Sequence, residues 1–146
     1  MPLNVTASDL RLMFAYVAET ITREEGYLTS LDSAIGDGDH GITMRVGFNA
    51  IKNKVSGLAD GVGIDAILCE AGLAFMGATG GAIGVLLGKM LMAAGGAMKG
   101  QQKIGAAEFQ TLMSSMEPAL VAAGKAKPGD KTLLDVLSPI ALSLEA

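Results

Sequence analysis

The sequence predicts an all-α fold, an antiparallel up-and-down helical barrel or bundle of about six helices, on three observations. Apolar residues recur at helical spacing in segment after segment, and strand-like alternation extends over no useful length. The composition agrees, with aromatics at only 4% beside 20 Gly and 9 Met, which favours helices packed closely through small residues. A chain of 146 residues with 50% hydrophobic and 18% charged residues buries a core without disulfides and lies far from the disordered corner of composition space. Residues 1–146 therefore read as one domain.

Each element has its own signal. Leu10, Met13, Phe14, Val17 and Ile21 mark one face of a first helix, from near Ser8 to about Ser30. A glycine-broken acidic loop follows from Leu31 to Gly41. A second helix carries Met44, Val46, Phe48 and Ile51 and ends before Gly57. After the Asp60–Gly63 turn, a third helix from about Ile64 carries Ile67, Leu68 and Leu73. Gly77 to Gly81 interrupts it, and a fourth continues through Leu86, Leu87, Met90 and Leu91 until Gly95, Gly96 and Gly100. Phe109, Leu112, Met113, Met116 and Leu120 define the fifth. Lys127–Asp130 is a loop, and Thr132 to Glu145 reads as a sixth helix whose start is capped by Asp130 or Thr132.

Several function classes drop out. A formal charge of −4 and a pI near 4.9 speak against a nucleic-acid surface. The single cysteine, Cys69, rules out an internal disulfide framework, and Met1 to Leu10 is too polar and mixed for a signal peptide, so the expected compartment is the cytoplasm. The eighteen uncharged residues between Glu70 and Lys89 reach the lower length limit of a membrane span. Six of them are Gly and no Trp or Tyr belt flanks them, so a buried central helix is expected instead and no membrane contact.

Three stretches carry chemistry. Leu31 to Gly41 holds Asp32, Asp37, Asp39 and the only histidine, His40. Clustered carboxylates repel unless a cation neutralises them, and hard oxygen ligands suit Mg²⁺ or Ca²⁺. An EF-hand is excluded, because counting from Asp37 puts Gly41 at the fifth position and Phe48 at the twelfth, where a bidentate Glu is needed. The competing reading is a turn with an N-cap for the second helix, and residue types alone leave the two equal. His40 suits a phosphate contact or a local hydrogen bond. The second stretch, Gly77 to Gly84, enters a helix as an anion-binding turn would, with Thr79 as a hydroxyl donor, or else packs helices through glycine. It is no Walker A loop: only three residues separate Gly84 from Gly88, and Met90 follows Lys89 where Ser or Thr should stand. Gly61-Val62-Gly63-Ile64-Asp65-Ala66 matches G-x-G-x-x-A, but no apolar strand precedes it and the dinucleotide reading is rejected. The third stretch, Gly124 to Asp135, is a lysine-bearing loop and helix start.

Together, L-D-S-A-I-G-D-G-D-H-G (Leu31 to Gly41), G-A-T-G-G-A (Gly77 to Ala82) and G-K-A-K-P-G-D-K-T-L-L-D (Gly124 to Asp135) resemble the L subunit, or L domain, of dihydroxyacetone kinases. Order and spacing fit over nearly the whole chain. The resemblance implies a barrel of antiparallel helices with a nucleotide, ADP or ATP, at one end. It implies two Mg²⁺ ions on Asp32, Asp37 and Asp39, nucleotide contacts from His40, Gly41, Ile42 and Thr43, a phosphate-binding turn at Thr79 and Gly80, and a pocket lined by Gly124 and Leu133. The implied partner is a K-type subunit carrying dihydroxyacetone or another short ketose on its own histidine, so this chain would supply only the phosphoryl donor. Such a role needs charge neutralisation and positioning more than a base of its own. Without a K-like domain ahead of the first helix, the expected donor to bound ADP is a phosphotransferase-system protein. Two departures stand out. Gly80 occupies a position where the family usually has serine, and the family continues for about two more helices. An open bundle would expose an apolar seam and is expected either to associate, for instance as a homodimer, or to be marginally stable.

Overall fold

Six helices follow one another in the computed structural model, which describes residues 4–144. They are α1 (Ala7–Asp32), α2 (His40–Ser56), α3 (Ile64–Ala78), α4 (Gly81–Ala97), α5 (Ala106–Gly124) and α6 (Leu134–Ser143), with two-residue strands β1 (Val5–Thr6) and β2 (Lys103–Ile104). The helices agree with the sequence reading to within about two residues, which is the ordinary uncertainty of helix ends. The predicted end of the sixth helix at Glu145 lies outside the described residues. The strands were not foreseen: Val5 pairs with Ile104 and Thr6 with Lys103, antiparallel. Two residues are too few to show alternation.

Each helix packs on the next, and cross-contacts fix the pairs as antiparallel. Between α1 and α2, Lys52 meets Glu19 at 3.0 Å, Asn49 donates to Thr22 at 3.2 Å, and Arg45 pairs with Glu25. Arg11 donates to the carbonyls of Val55 and Leu58 at 3.0 Å and of Ala59 at 2.8 Å, satisfying the orphan acceptors at the end of α2. α1 opens with a capping box, Thr6 Oγ1 accepting from Asp9 N while Asp9 accepts from Thr6 N; the bond from the Thr6 hydroxyl, above all, holds the Asp9 carboxyl below its ordinary range. Its buried residues are Leu10, Phe14 and Ala18, so Met13, assigned above to the inner face, stands 51% exposed at the edge of a stripe that runs i, i+4, i+8.

Glycine sets the distance between the central helices. A Cβ on Gly47 of α2 would collide with the ring of Phe75, which is fully buried and lies edge-to-face with Phe48, centroids 5.5 Å apart. A Cβ on Gly72 of α3 would stand 2.6 Å from the Gly88 carbonyl of α4, and one on Gly95 2.7 Å from the Asp65 carbonyl. The uncharged stretch is therefore two antiparallel helices broken at Thr79–Gly80, and no helix among the described residues is long and apolar enough to cross a membrane. Phe75, Ile51, Ile64, Ile67, Met98, Val55 and Leu134 form the most deeply buried part of the core. Among the described residues α6 packs on α5, where Ser138 donates to Glu117 at 2.6 Å, and no comparable packing joins α6 to α1.

Candidate functional site

Antiparallel order puts the α1–α2, α3–α4 and α5–α6 connections at one end of the bundle, so the three stretches singled out by sequence share that end. In the first, Asp32 closes α1 and turns back over the loop. Its Oδ2 accepts from the backbone N–H groups of Gly38 (2.9 Å), Asp39 (3.1 Å) and His40 (3.4 Å). Gly38 reaches this geometry at φ +76°, and Gly36 passes too close to the Asp32 carboxylate for any side chain. One carboxylate oxygen of each of Asp32, Asp37 and Asp39 lies within 4.8 Å of the others. Among the described residues none of the three pairs with a cationic side chain.

This geometry bears on the two readings of the loop. Asp39 is the N-cap residue of α2, yet its side chain caps nothing; Asp32 supplies the acceptor instead. Asp37 accepts only a long 3.4 Å bond from the Asp39 N–H. Two exposed carboxylates are thus held together without a capping duty. The cost shows on Asp39, whose carboxyl is raised above its ordinary range, chiefly by the charge of Asp37, then by desolvation, a hydrogen bond with Asp37 and the charge of Asp32, with His40 opposing. A hard-oxygen donor set of this kind fits a divalent cation such as Mg²⁺.

The other predicted residues are arranged around it. His40, Gly41, Ile42 and Thr43 form the first turn of α2, its N-terminus directed at this end. Gly41 is buried so tightly on the Glu25 carbonyl and Thr29 that no Cβ fits, Ile42 is exposed, and Thr43 N donates to Asp39 O at 2.9 Å. Thr79 is a correction in detail. It is buried and its hydroxyl donates to Phe75 O at 2.8 Å, capping α3, so that proton is not offered to an anion. The open groups there belong to the backbone: Gly80 precedes α4 without a side-chain cap, Gly81 stands at φ +72°, and nothing lies within 4 Å of where their Cβ atoms would be.

Gly124 and Leu133 meet in a small apolar cavity of about 90 Å³, shared with Leu86, Leu120, Ala126, Thr132 and Leu134. The loop between them is strained. Lys125 (φ 56°), Gly129 (φ 97°) and Lys131 (φ 59°) are all left-handed, and each lysine there costs on the order of 1–2 kcal/mol. Of the two expected caps, Asp130 instead accepts from Lys127 N at 3.0 Å, within the loop, while Thr132 Oγ1 accepts a 3.3 Å bond from Leu134 N at the start of α6. The residue that holds the loop is Asp135, which accepts from Gly129 N at 2.6 Å and Thr132 N at 2.9 Å. Those backbone bonds, Gly129 first, keep its carboxyl below the ordinary range. The signal was present: Thr132-x-x-Asp135 has capping-box spacing. A larger cavity of about 370 Å³ lies at the opposite end among Thr6, Ser8, Arg11, Asp60 to Ile64 and Gln101–Gln102, where Arg11 is already engaged in closing α2.

Comparison with known proteins places the chain in a family. The DAK2 domain matches residues 34–146. The PEP-dependent dihydroxyacetone kinase, ADP-binding subunit DhaL, of Escherichia coli is 36% identical over 126 residues, covering 86% of this chain and 60% of that protein. The corresponding subunit of kinase 2 from Listeria innocua is 36% identical over 120 residues, 82% of this chain and 56% of that protein. The D-erythrulose kinase of Mycolicibacterium smegmatis is 35% identical over 133 residues, 90% of this chain and 23% of that much longer protein. The chain thus spans about 60% of the length of the ADP-binding subunits it matches. With most of its length matched by the family model and by these relatives, the chain belongs to the DAK2 domain family, and so to the L-type domains of dihydroxyacetone kinases that its motifs resemble.

Proposed function

We propose that this chain is the ADP/ATP- and Mg²⁺-binding subunit of a dihydroxyacetone (glycerone) kinase, a cytoplasmic phosphotransferase active only with a K-type partner that holds the short ketose. The observation that carries the reading is the cluster of Asp32, Asp37 and Asp39, held within 4.8 Å at the same end of the bundle as the Thr79–Gly80 turn and the Gly124–Leu133 cavity. Two Mg²⁺ ions on the three aspartates would neutralise polyphosphate charge. The first turn of α2 (His40, Gly41, Ile42, Thr43) and the backbone N–H groups at Gly80 would hold phosphate oxygens, and Gly124 and Leu133 would border the base. Phosphoryl transfer rests on such positioning and electrostatics, so no catalytic base is assigned to this chain. The relatives named as PEP-dependent ADP-binding subunits support an ADP that stays bound and is rephosphorylated by a phosphotransferase-system protein.

Calorimetric titration of ADP into the purified chain, with and without Mg²⁺, tests the reading. Binding that appears only with Mg²⁺ supports it; no binding in either condition overturns it. A second reading, a nucleotide-binding or regulatory module without turnover, is favoured by one observation: among the described residues α6 packs on α5 with no comparable packing against α1. Sugar phosphorylation with a K-type partner and a phosphoryl source separates the two, since the module binds ADP and phosphorylates nothing.

A further inference from the structure

We propose that Asp135 is a positioning residue for nucleotide binding: its carboxylate, by accepting from Gly129 N and Thr132 N, holds the 125–133 loop in the strained form that places Leu133 across from Gly124. This rests on the nucleotide-binding reading above and adds a residue to it. Three observations converge. Gly129 and Lys131 are left-handed, a conformation that non-glycine residues keep only when their surroundings over-determine it. The two N–H groups captured by Asp135 are those of Gly129 itself and of the residue after Lys131, so the bonds bracket the strained step. The cavity walls, Gly124 and Leu133, are the two ends of that loop, with Leu86 of α4 against Gly124. Asp135 reaches the loop from the first turn of α6 and is absent from the cavity lining, so its effect on a ligand is exerted through the backbone.

The test compares wild type, Asp135→Ala and Asp135→Asn in ADP titration with Mg²⁺, trypsin cleavage after Lys131, and thermal melting without nucleotide. Asp135→Ala should bind ADP about tenfold more weakly, the affinity equivalent of one lost capping interaction. It should also be cut faster after Lys131, with a Tm only about 3 °C lower than wild type. Asp135→Asn keeps one carbonyl oxygen in place and should recover most of the affinity, a rescue that a general loss of stability would not give. Equal ADP affinity in wild type and Asp135→Ala overturns the proposal and leaves the nucleotide reading standing. A wild-type chain that binds no ADP overturns both. If Asp135→Ala does not fold, Asp135→Asn decides: ADP affinity and cleavage both identical to wild type overturn the proposal, and a smaller loss of the same sign in each supports it.

Discussion

The loops at residues 33–39 and 125–133 sit at the same end of the bundle, and each is tied down by a single helix-borne carboxylate that collects backbone N–H groups. In the first, the carboxylate is Asp32, at the end of the preceding helix; in the second it is Asp135, in the first turn of the following helix. The outcomes differ. Asp32 takes over the capping of α2 and leaves Asp37 and Asp39 exposed, mutually repelling and available to a cation. Asp135 closes a loop whose inner wall is apolar. The same device of one carboxylate for several amides builds a charged cup on one side and an apolar slot on the other, the two surfaces that the proposed nucleotide site calls for.

The largest effect expected from breaking this comparison comes from Asp32→Ala, which removes a cation ligand and the loop's anchor together. Mg²⁺-dependent ADP affinity should fall about a hundredfold, the upper range for perturbing a metal site. Stability should drop by about 1 kcal/mol for the lost cap, read by calorimetry and denaturant titration. Asp37→Asn should cost at least about tenfold in ADP affinity with melting unchanged or improved, because it relieves repulsion without touching the anchor; unchanged affinity would sink the metal assignment. On the other side, Gly129→Ala forces a side chain into the left-handed region and should cost about 1 kcal/mol, a fall in Tm of roughly 3 °C, while Mg²⁺ binding without nucleotide stays as in wild type.

The smallest effects are in pH. Asp39 is raised, so protons should compete with Mg²⁺ for the acidic loop from above the ordinary carboxylate range, and titrations of Mg²⁺ at falling pH should show it. Asp135 is lowered, so its stabilisation is present above the ordinary carboxylate value and is lost as pH falls through its own, lower, value. The difference in Tm between wild type and Asp135→Asn should therefore shrink in that acidic window, where a constant difference would contradict the role of the carboxylate charge.

Most of the fold was legible because helical spacing and glycine punctuation both survive in sequence. Ile64, Gly57 and the Gly77–Gly81 break mark helix ends almost where they fall. The details that were not legible are choices among equivalent donors and acceptors. A sequence shows that Thr79 has a hydroxyl, not that the Phe75 carbonyl takes its proton. It shows Asp32, Asp37 and Asp39 in a row, not that Asp32 frees the others by capping in place of Asp39. Ala18 was missed on the inner face, and Met13 wrongly put there, because a small residue carries little hydrophobic signal even where close helix packing demands it. Asp130 and Thr132 were offered as caps since both precede the helix; Thr132 does bond Leu134 N, while Asp135, lying inside the helix, is the residue that reaches back to the loop.

The close glycine-lined pairing of α3 and α4 has a kinetic consequence. Their contacts span one two-residue connection, so the loop that must close before they form is the shortest between any two helices described here. Contacts this local form quickly, because little chain entropy is lost before they are made. The α3–α4 hairpin is therefore the expected nucleus of folding. The Thr79–Gly80 turn would then be in place early, before the longer connection between α1 and α2 closes and brings the acidic cluster together.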